Sequence, residues 1–505
     1  MEHLIDGRPP LPIPVAEEIL VASALGDHST VIELIERAPI DAWFGVAPDR
    51  FRTVLAHIPE EQRYTGVAVP SFSAFLGLGG PGTEGTAAGA PRSATSELSD
   101  MAARTFGARV RGRPVESVRL MSRSRGLADT ANALFDDTLG WHGFLAVQQG
   151  ISEMLTGDFS GALDSFGSAV GVPMPDQLGL IRRDAYVKAA LIHALFGDPE
   201  DARHHLDSAA RIPPVDSWAE AGITAHSEIA AALVAEPDAE MALARLKRVA
   251  PWLLGEMWPF WLEAADRLAA RAGHQVAERR HRVDRMARAT PAHLPGDGYP
   301  GSVLALLHAR QEFDLGDTAQ ARHFLAQADE SVLCVRLSHA ILDIGDGDVD
   351  EAIGALVALR SETRDLLQVE MSRQTGLAWA LLRRGDRAGA AEALRSVHRM
   401  REAQPTLCPA EIPAEVDALG VAEVPGWTPA PHPRATSAPE TRPKLSEREL
   451  VLLRALASGR RRSEIAEDLF VSMNTVKTQQ RAIYRKLGVS SRTDALLQAE
   501  SLRLI

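Results

Sequence analysis

Cysteine is nearly absent from this chain. Cys334 and Cys408 are the only two in 505 residues, too few for a disulfide framework or a cysteine-based zinc cluster. Lysine is almost as rare, five against 49 arginines, a bias of GC-rich genomes. None of the five, Lys188, Lys247, Lys444, Lys477 and Lys486, follows a glycine, so the G-x-x-x-x-G-K phosphate loop is missing and a signal-dependent ATPase has no nucleotide site to work with. No run approaches the roughly 18 apolar residues of a membrane span, and MEHLIDGRPPLPIPVAEEIL has neither the basic start nor the apolar stretch of a secretory leader. A cytoplasmic location with no membrane partner is expected. The histidines are scattered, and adjacent His204 and His205 diverge in direction on a helix, so no metal site is expected. No nucleophile, base and orienting acid can be assembled either. Neither catalysis nor a cofactor is expected.

Charge is unevenly placed. Residues 442 to 505 hold 13 Lys or Arg and 7 Asp or Glu, a net of +6, while the preceding 441 residues carry −19 of the total −13. A basic end on an acidic body fits a small DNA-binding module attached to a large regulatory domain.

The body is repetitive. A G-D pair recurs at Gly26, Gly157, Gly197, Gly316, Gly347 and Gly385. Five positions on stands a small residue, Val31, Ala162, Ala202, Ala321, Ala352 or Ala390. Nine positions on stands a large apolar one, Ile35, Phe166, Leu206, Leu325, Leu356 or Leu394. A seventh copy at Pro237-Asp238 keeps Ala242 and Leu246. Glycine suits the left-handed residue ending one helix, and aspartate can cap the next. The small residue lets two antiparallel helices approach, and the bulky one a turn later fills the groove between them. Such hairpins cannot bury their faces alone and should stack into a superhelix. The cassettes resemble tetratricopeptide repeats, with Ala162, Phe166, Ala169 and Pro173 of GDFSGALDSFGSAVGVP near the small, aromatic, small and proline positions. No clean copy lies between 246 and 316.

Composition sets the expected boundaries. Residues 1–70 make an N-terminal helical segment, and 71–98, rich in Gly, Ala, Ser and Thr, a flexible insertion. Residues 99–404 make the repeat domain. Nine prolines within 405–443 predict an extended spacer, and 444–505 a separate module.

That module is densely punctuated. Ser446 and Glu449 fit a capping box, Leu452, Leu453 and Leu456 follow, and Gly459 can close the helix. A second helix near Ser463–Leu469 turns Ile465, Ala466 and Leu469 inward, and only Phe470, Val471 and Ser472 separate it from a third. That is the tight turn of a helix-turn-helix. In the third helix Val476, Ile483 and Leu487 face inward, leaving Asn474, Lys477, Thr478, Arg481 and Arg485 on one outward stripe. No acidic residue occurs from Val471 to Leu487, where an ordinary solvated helix would mix both signs. Ser491 and Asp494 open a fourth helix.

LSERE, G-x-x-x-x-EIA, LFVSMNTVKT and RKLGVSSRTDA together resemble the DNA-binding domain of LuxR-type transcriptional regulators over 444–500. The resemblance implies an all-α chain, a repeat superhelix followed by a four-helix DNA-binding domain. It implies that Lys477, Thr478 and Arg481 face base edges in the major groove, that Thr475, Arg485 and Lys486 lie near phosphates, and that the helix about Arg492–Glu500 is a dimer contact. Promoter double-stranded DNA is then the partner of a homodimer, with RNA polymerase a further partner left open. Gln479 stands where histidine is common, Gln480 where an apolar residue is, and Val451 where a second glutamate is; Arg460, Arg461 and Arg462 replace a more polar start to the second helix.

The body resembles the repeat portion of the large ATP-dependent members of that family without their nucleotide-binding domain. A small-molecule or protein effector on the superhelix is expected. Trp252, Trp258 and Trp261, beside Phe260, could line its pocket or pack the core. A repeat scaffold whose terminal module touches only protein is the competing reading. A protein-only module gains nothing from a one-signed basic stripe.

Overall fold

In the computed structural model the described residues are 9–64, 66, 68–78, 104–122, 140–235, 238–288, 290–291, 293–404, 412–429, 445–458, 460, 462–469, 471–487, 489, 491–501 and 504. They are helical throughout, and the one β contact among them is an isolated bridge between Leu11 and Val215. No described helix is long and apolar enough to cross a membrane.

The G-D cassette does locally what its chemistry requires. Gly26, Gly157, Gly316, Gly347 and Gly385 sit at positive φ and end their helices. Asp27, Asp158, Asp198, Asp238, Asp317 and Asp386 each accept a backbone N–H from the first turn of the following helix; Asp348 makes no such cap. The small residues are all buried, as are the large ones apart from half-buried Leu206. Gly197 lacks the left-handed conformation and serves close approach instead: a Cβ there would fall 2.6 Å from His193 Nδ1.

From residue 141 seven hairpins follow in order, Trp141–Thr156 with Phe159–Gly171, Gly179–Leu195 with Pro199–Ala210, Glu220–Val234 with Ala239–Leu246, Trp258–Arg271 with Val276–Ala287, Gly298–Asp314 with Thr318–Leu325, Leu333–Asp346 with Val349–Ala358, and Leu367–Arg384 with Arg387–Ala403. Each packs on its neighbours, so one core runs through the body. The coil also meets itself. Gln368 donates its side-chain amide to the carbonyls of Ala194 and Gly197, and the N–H groups of Gln368 and Val369 both reach the Phe196 carbonyl. Between these strands of the coil, buried Phe159, Phe196, Phe260 and Tyr299 stack together, with Phe159 and Phe196 centroids 4.1 Å apart.

The fourth hairpin explains the gap in the repeat pattern. Its second helix turns Arg279 and Arg280 inward where other copies use alanine. Arg279 clamps Asp266 bidentately at 3.1 and 2.8 Å and reaches Asp314 at 2.9 Å; Arg280 pairs with Glu312 at 2.8 Å. One turn before Asp266, buried Glu263 takes Arg267 at 2.6 Å and Arg310 at 3.1 Å. Burial pushes the Glu263 carboxyl up, but Arg310 and Arg267 outweigh it and hold it at about 2. A carboxyl lowered on folding stabilises above its unfolded pKa and loses that contribution as pH falls toward the folded value. Glu263→Gln is therefore expected to lower thermal stability at neutral pH, with the gap to wild type closing as melts are repeated from pH 5 toward pH 2.

Two expected boundaries move. The insertion drawn from residue 71 starts inside a helix, Ala68–Phe75, which packs its aromatic rings against Trp43. The spacer drawn from 405 contains the helix Ala414–Glu423, preceded by Pro413 at the N-cap, where its missing N–H takes no hydrogen bond from the helix. Ile412, Val416, Leu419, Val424 and Trp427 are buried in the core, so this segment caps the superhelix. Residues 79–98 and 430–443, and Cys408, lie outside the described residues.

Candidate nucleic-acid interface

Four helices build the C-terminal module: Glu447–Ala457, Arg462–Asp468, Met473–Lys486 and Arg492–Ser501. Leu452, Leu453, Leu456, Ile465, Ala466, Val476, Ile483, Leu487, Ala495 and Ala499 form its core, separate from that of the body. Both arms of the first helix's capping box are made: Glu449 N–H donates to Ser446 Oγ at 3.3 Å, and Ser446 N–H to Glu449 at 2.7 Å. Ser472 caps the third helix through Thr475 N–H at 3.1 Å. Ser491 accepts from Asp494 N–H at 3.1 Å and donates to its carboxylate at 2.6 Å. Phe470, Gly459 and Arg461 lie outside the described residues.

The third helix divides cleanly. Val476 and Ile483 point into the core, while Asn474, Lys477, Thr478, Arg481 and Arg485 are exposed along one stripe. Among the described residues no carboxylate pairs with Lys477, Arg481 or Arg485, so three cations are presented to solvent unneutralised. Thr478 donates its hydroxyl to the Asn474 carbonyl at 2.9 Å. Thr475 is half-buried, its hydroxyl 2.8 Å from that of Ser472, so it works in the cap. Lys486 is bound across the module to Glu449 at 2.7 Å, and its ammonium holds that carboxyl below the usual range. The stripe thus ends at Arg485.

Gln480 is buried despite its polarity, and its amide donates to the Tyr484 hydroxyl, which answers how a polar residue stands at an apolar position. Arg492 ties the helices together by donating to the carbonyls of Leu456 at 2.7 Å and Arg460 at 2.9 Å; sequence spacing gave no sign of this clamp.

The aromatic effector candidates do not converge. Trp258 and Trp261 are buried in the body's core, Trp261 donating its indole N–H to the Leu246 carbonyl at 3.2 Å, whereas Trp252 is 83% exposed. Their closeness in sequence falls across a 3-10 turn and a helix start, which send them to different surroundings. His205 is stacked on His193, and burial foremost, with His193 next, holds its imidazole down at about 4. Among the described residues no group of three His, Cys, Asp or Glu could hold a metal ion.

Comparison with known proteins places this geometry. Residues 443–499 match the model of the bacterial regulatory proteins, luxR family. The transcriptional regulatory protein YdfI of Bacillus subtilis is 47% identical over 53 residues, 10% of this chain and 25% of its own. LiaR of the same organism, also a transcriptional regulatory protein, is 43% identical over 61 residues, 12% of this chain and 29% of its own. The HTH-type transcriptional regulator MalT of Yersinia enterocolitica is 41% identical over 71 residues, 14% of this chain and 8% of its own. The chain thus spans less than a third of each of these relatives, and the family match lies near its C-terminal end.

Proposed function

We propose that this chain, whose residues 443–499 form a LuxR-family helix-turn-helix domain, is a transcriptional regulator that binds promoter DNA through that domain. The observation that carries the reading is the stripe Asn474, Lys477, Thr478, Arg481 and Arg485, exposed on one face of a helix, its three cations without a carboxylate partner among the described residues, whereas Lys486 and Arg460 nearby are paired. Lysine and arginine are the side chains that address guanine O6 and N7 in the major groove. Lys477, Thr478 and Arg481 occupy the middle of the stripe and are assigned to base edges. Arg485, at its end, is assigned to phosphate, with Lys486 and Thr475 supporting the helix as well as approaching the backbone. The last helix, Arg492–Ser501, is assigned to pairing two copies on a two-fold site, and the superhelix to receiving a small-molecule or protein effector. A scaffold without DNA contacts would leave the bare stripe without a purpose.

Measured against double-stranded promoter fragments, affinity is expected to fall steeply with salt, and Arg485→Ala to reduce the slope of log K against log salt by about one while weakening specific and random DNA alike. Salt-independent binding to protein partners with no DNA affinity would leave the scaffold reading in its place.

A further inference from the structure

We infer that helix Val276–Ala287 is a docking surface on which the repeat domain holds the DNA-binding module by its last helix, Arg492–Ser501. The two helices lie against each other although 216 residues separate their first positions, and among the described residues theirs is the principal helix contact joining body to module. The module keeps its own hydrophobic core and shares no residue with that of the body. Two finished units therefore meet at a surface, which is the condition for reversible docking.

The docking helix has two unlike faces. Arg279, Arg280 and Val283 are buried against the body, the arginines fixed by Asp266, Asp314 and Glu312. At 100° per residue, His281 and Arg285 fall on the opposite side. Arg285 is exposed there, but His281 is half-buried. Across the contact, Ala495 and Ala499 belong to the module's core, whereas Gln498, outside that core, is nonetheless 5% exposed. Charge suits the pairing. Beyond Arg279 and Arg280, which are paired on the inner side, VAERRHRVDRMA carries Arg282, Arg285 and His281 against two carboxylates, while RTDALLQAES has one arginine against two.

Docking leaves the DNA-reading stripe outward, since Lys477, Thr478, Arg481 and Arg485 are all exposed in the docked arrangement. What it occupies is the last helix. On the reading that this helix pairs two copies, the docked chain is single, and the second copy competes with helix Val276–Ala287 for one surface. The body then governs DNA binding by holding or releasing the helix, without touching the reading face. Because the docking helix is held on its inner side by ion pairs to Trp258–Arg271 and Gly298–Asp314, any rearrangement of those helices moves the dock with it.

The test is hydrogen exchange on the full chain, without DNA, comparing wild type with the double variant His281→Glu, Arg285→Glu and, from the other side, Gln498→Arg. Exchange in residues 492–501 is expected to quicken about tenfold in both, with 447–457 and 258–271 unchanged, and in the double variant, whose last helix is intact, the sedimenting mass is expected to move toward that of a dimer. Unchanged exchange at 492–501 in both variants overturns the dock. Should the double variant also loosen 258–271, Gln498→Arg decides, since it leaves the body untouched. Faster exchange without DNA binding by any form would uphold the dock and remove the DNA reading, so the two stand or fall separately.

Discussion

Replacing Lys477 and Arg481 together by alanine is expected to lower affinity for the specific DNA site by between about 30-fold and 10⁴-fold, at about 1–3 kcal/mol for each base contact. Both side chains are exposed and unpaired, so their removal takes nothing from the module's core and the melting temperature should stay within a degree or two of wild type. The loss should be concentrated in sequence preference. Competition against random DNA separates the two components, because base contacts carry discrimination whereas phosphate contacts carry affinity of every kind. Genome-wide recovery of bound fragments gives the same answer in another form: wild type enriches a shared, roughly two-fold symmetric site and the double variant loses it. Equal, unselective recovery by both proteins would show that this helix does not read sequence.

That stripe was legible in the sequence because a helix of 3.6 residues per turn sorts its residues mechanically, and Val476, Ile483 and Leu487 mark the inward side. The repeat hairpins were legible for a like reason. A buried alanine five residues past a left-handed glycine leaves a fixed imprint, and the aspartate between them announces its cap. Long-range pairing left no such imprint. The family resemblance implied Lys486 near phosphate, and nothing local shows that Glu449, in another helix, pairs with its ammonium. The clamp of Arg492 on two carbonyls was hidden in the same way. Proline density concealed the helix Ala414–Glu423, since composition counts prolines without noting that one of them sits where a helix begins. The hairpin at 258–287 escaped because its inner face is charged. A search tuned to apolar spacing passes over two arginines whose partners lie on neighbouring helices.

Those arginines set the largest effect on stability. Arg279→Met is expected to destabilise the superhelix by about 3–5 kcal/mol, because it strands Asp266, 2% exposed, with only the Gln311 amide at 3.0 Å left among its named partners. Methionine preserves most of the volume, so the cost is the uncompensated carboxylate and not a cavity. At about 2 °C per kcal/mol for a unit of this size, the melting temperature should fall by roughly 6–10 °C. The double variant Arg279→Met, Asp266→Leu should recover most of that loss, since removing both members of a buried pair also removes the desolvation it had to overcome. Recovery of little or none would mean that the link from Arg279 to Asp314, at 2.9 Å, supplies the larger share. The single variant also tests the dock from within. Helix Val276–Ala287 would then be held to the body by Arg280 on Glu312 and Asp284 on His308, without its bidentate clamp, and exchange at residues 492–501 should quicken even though no residue of that contact has been changed.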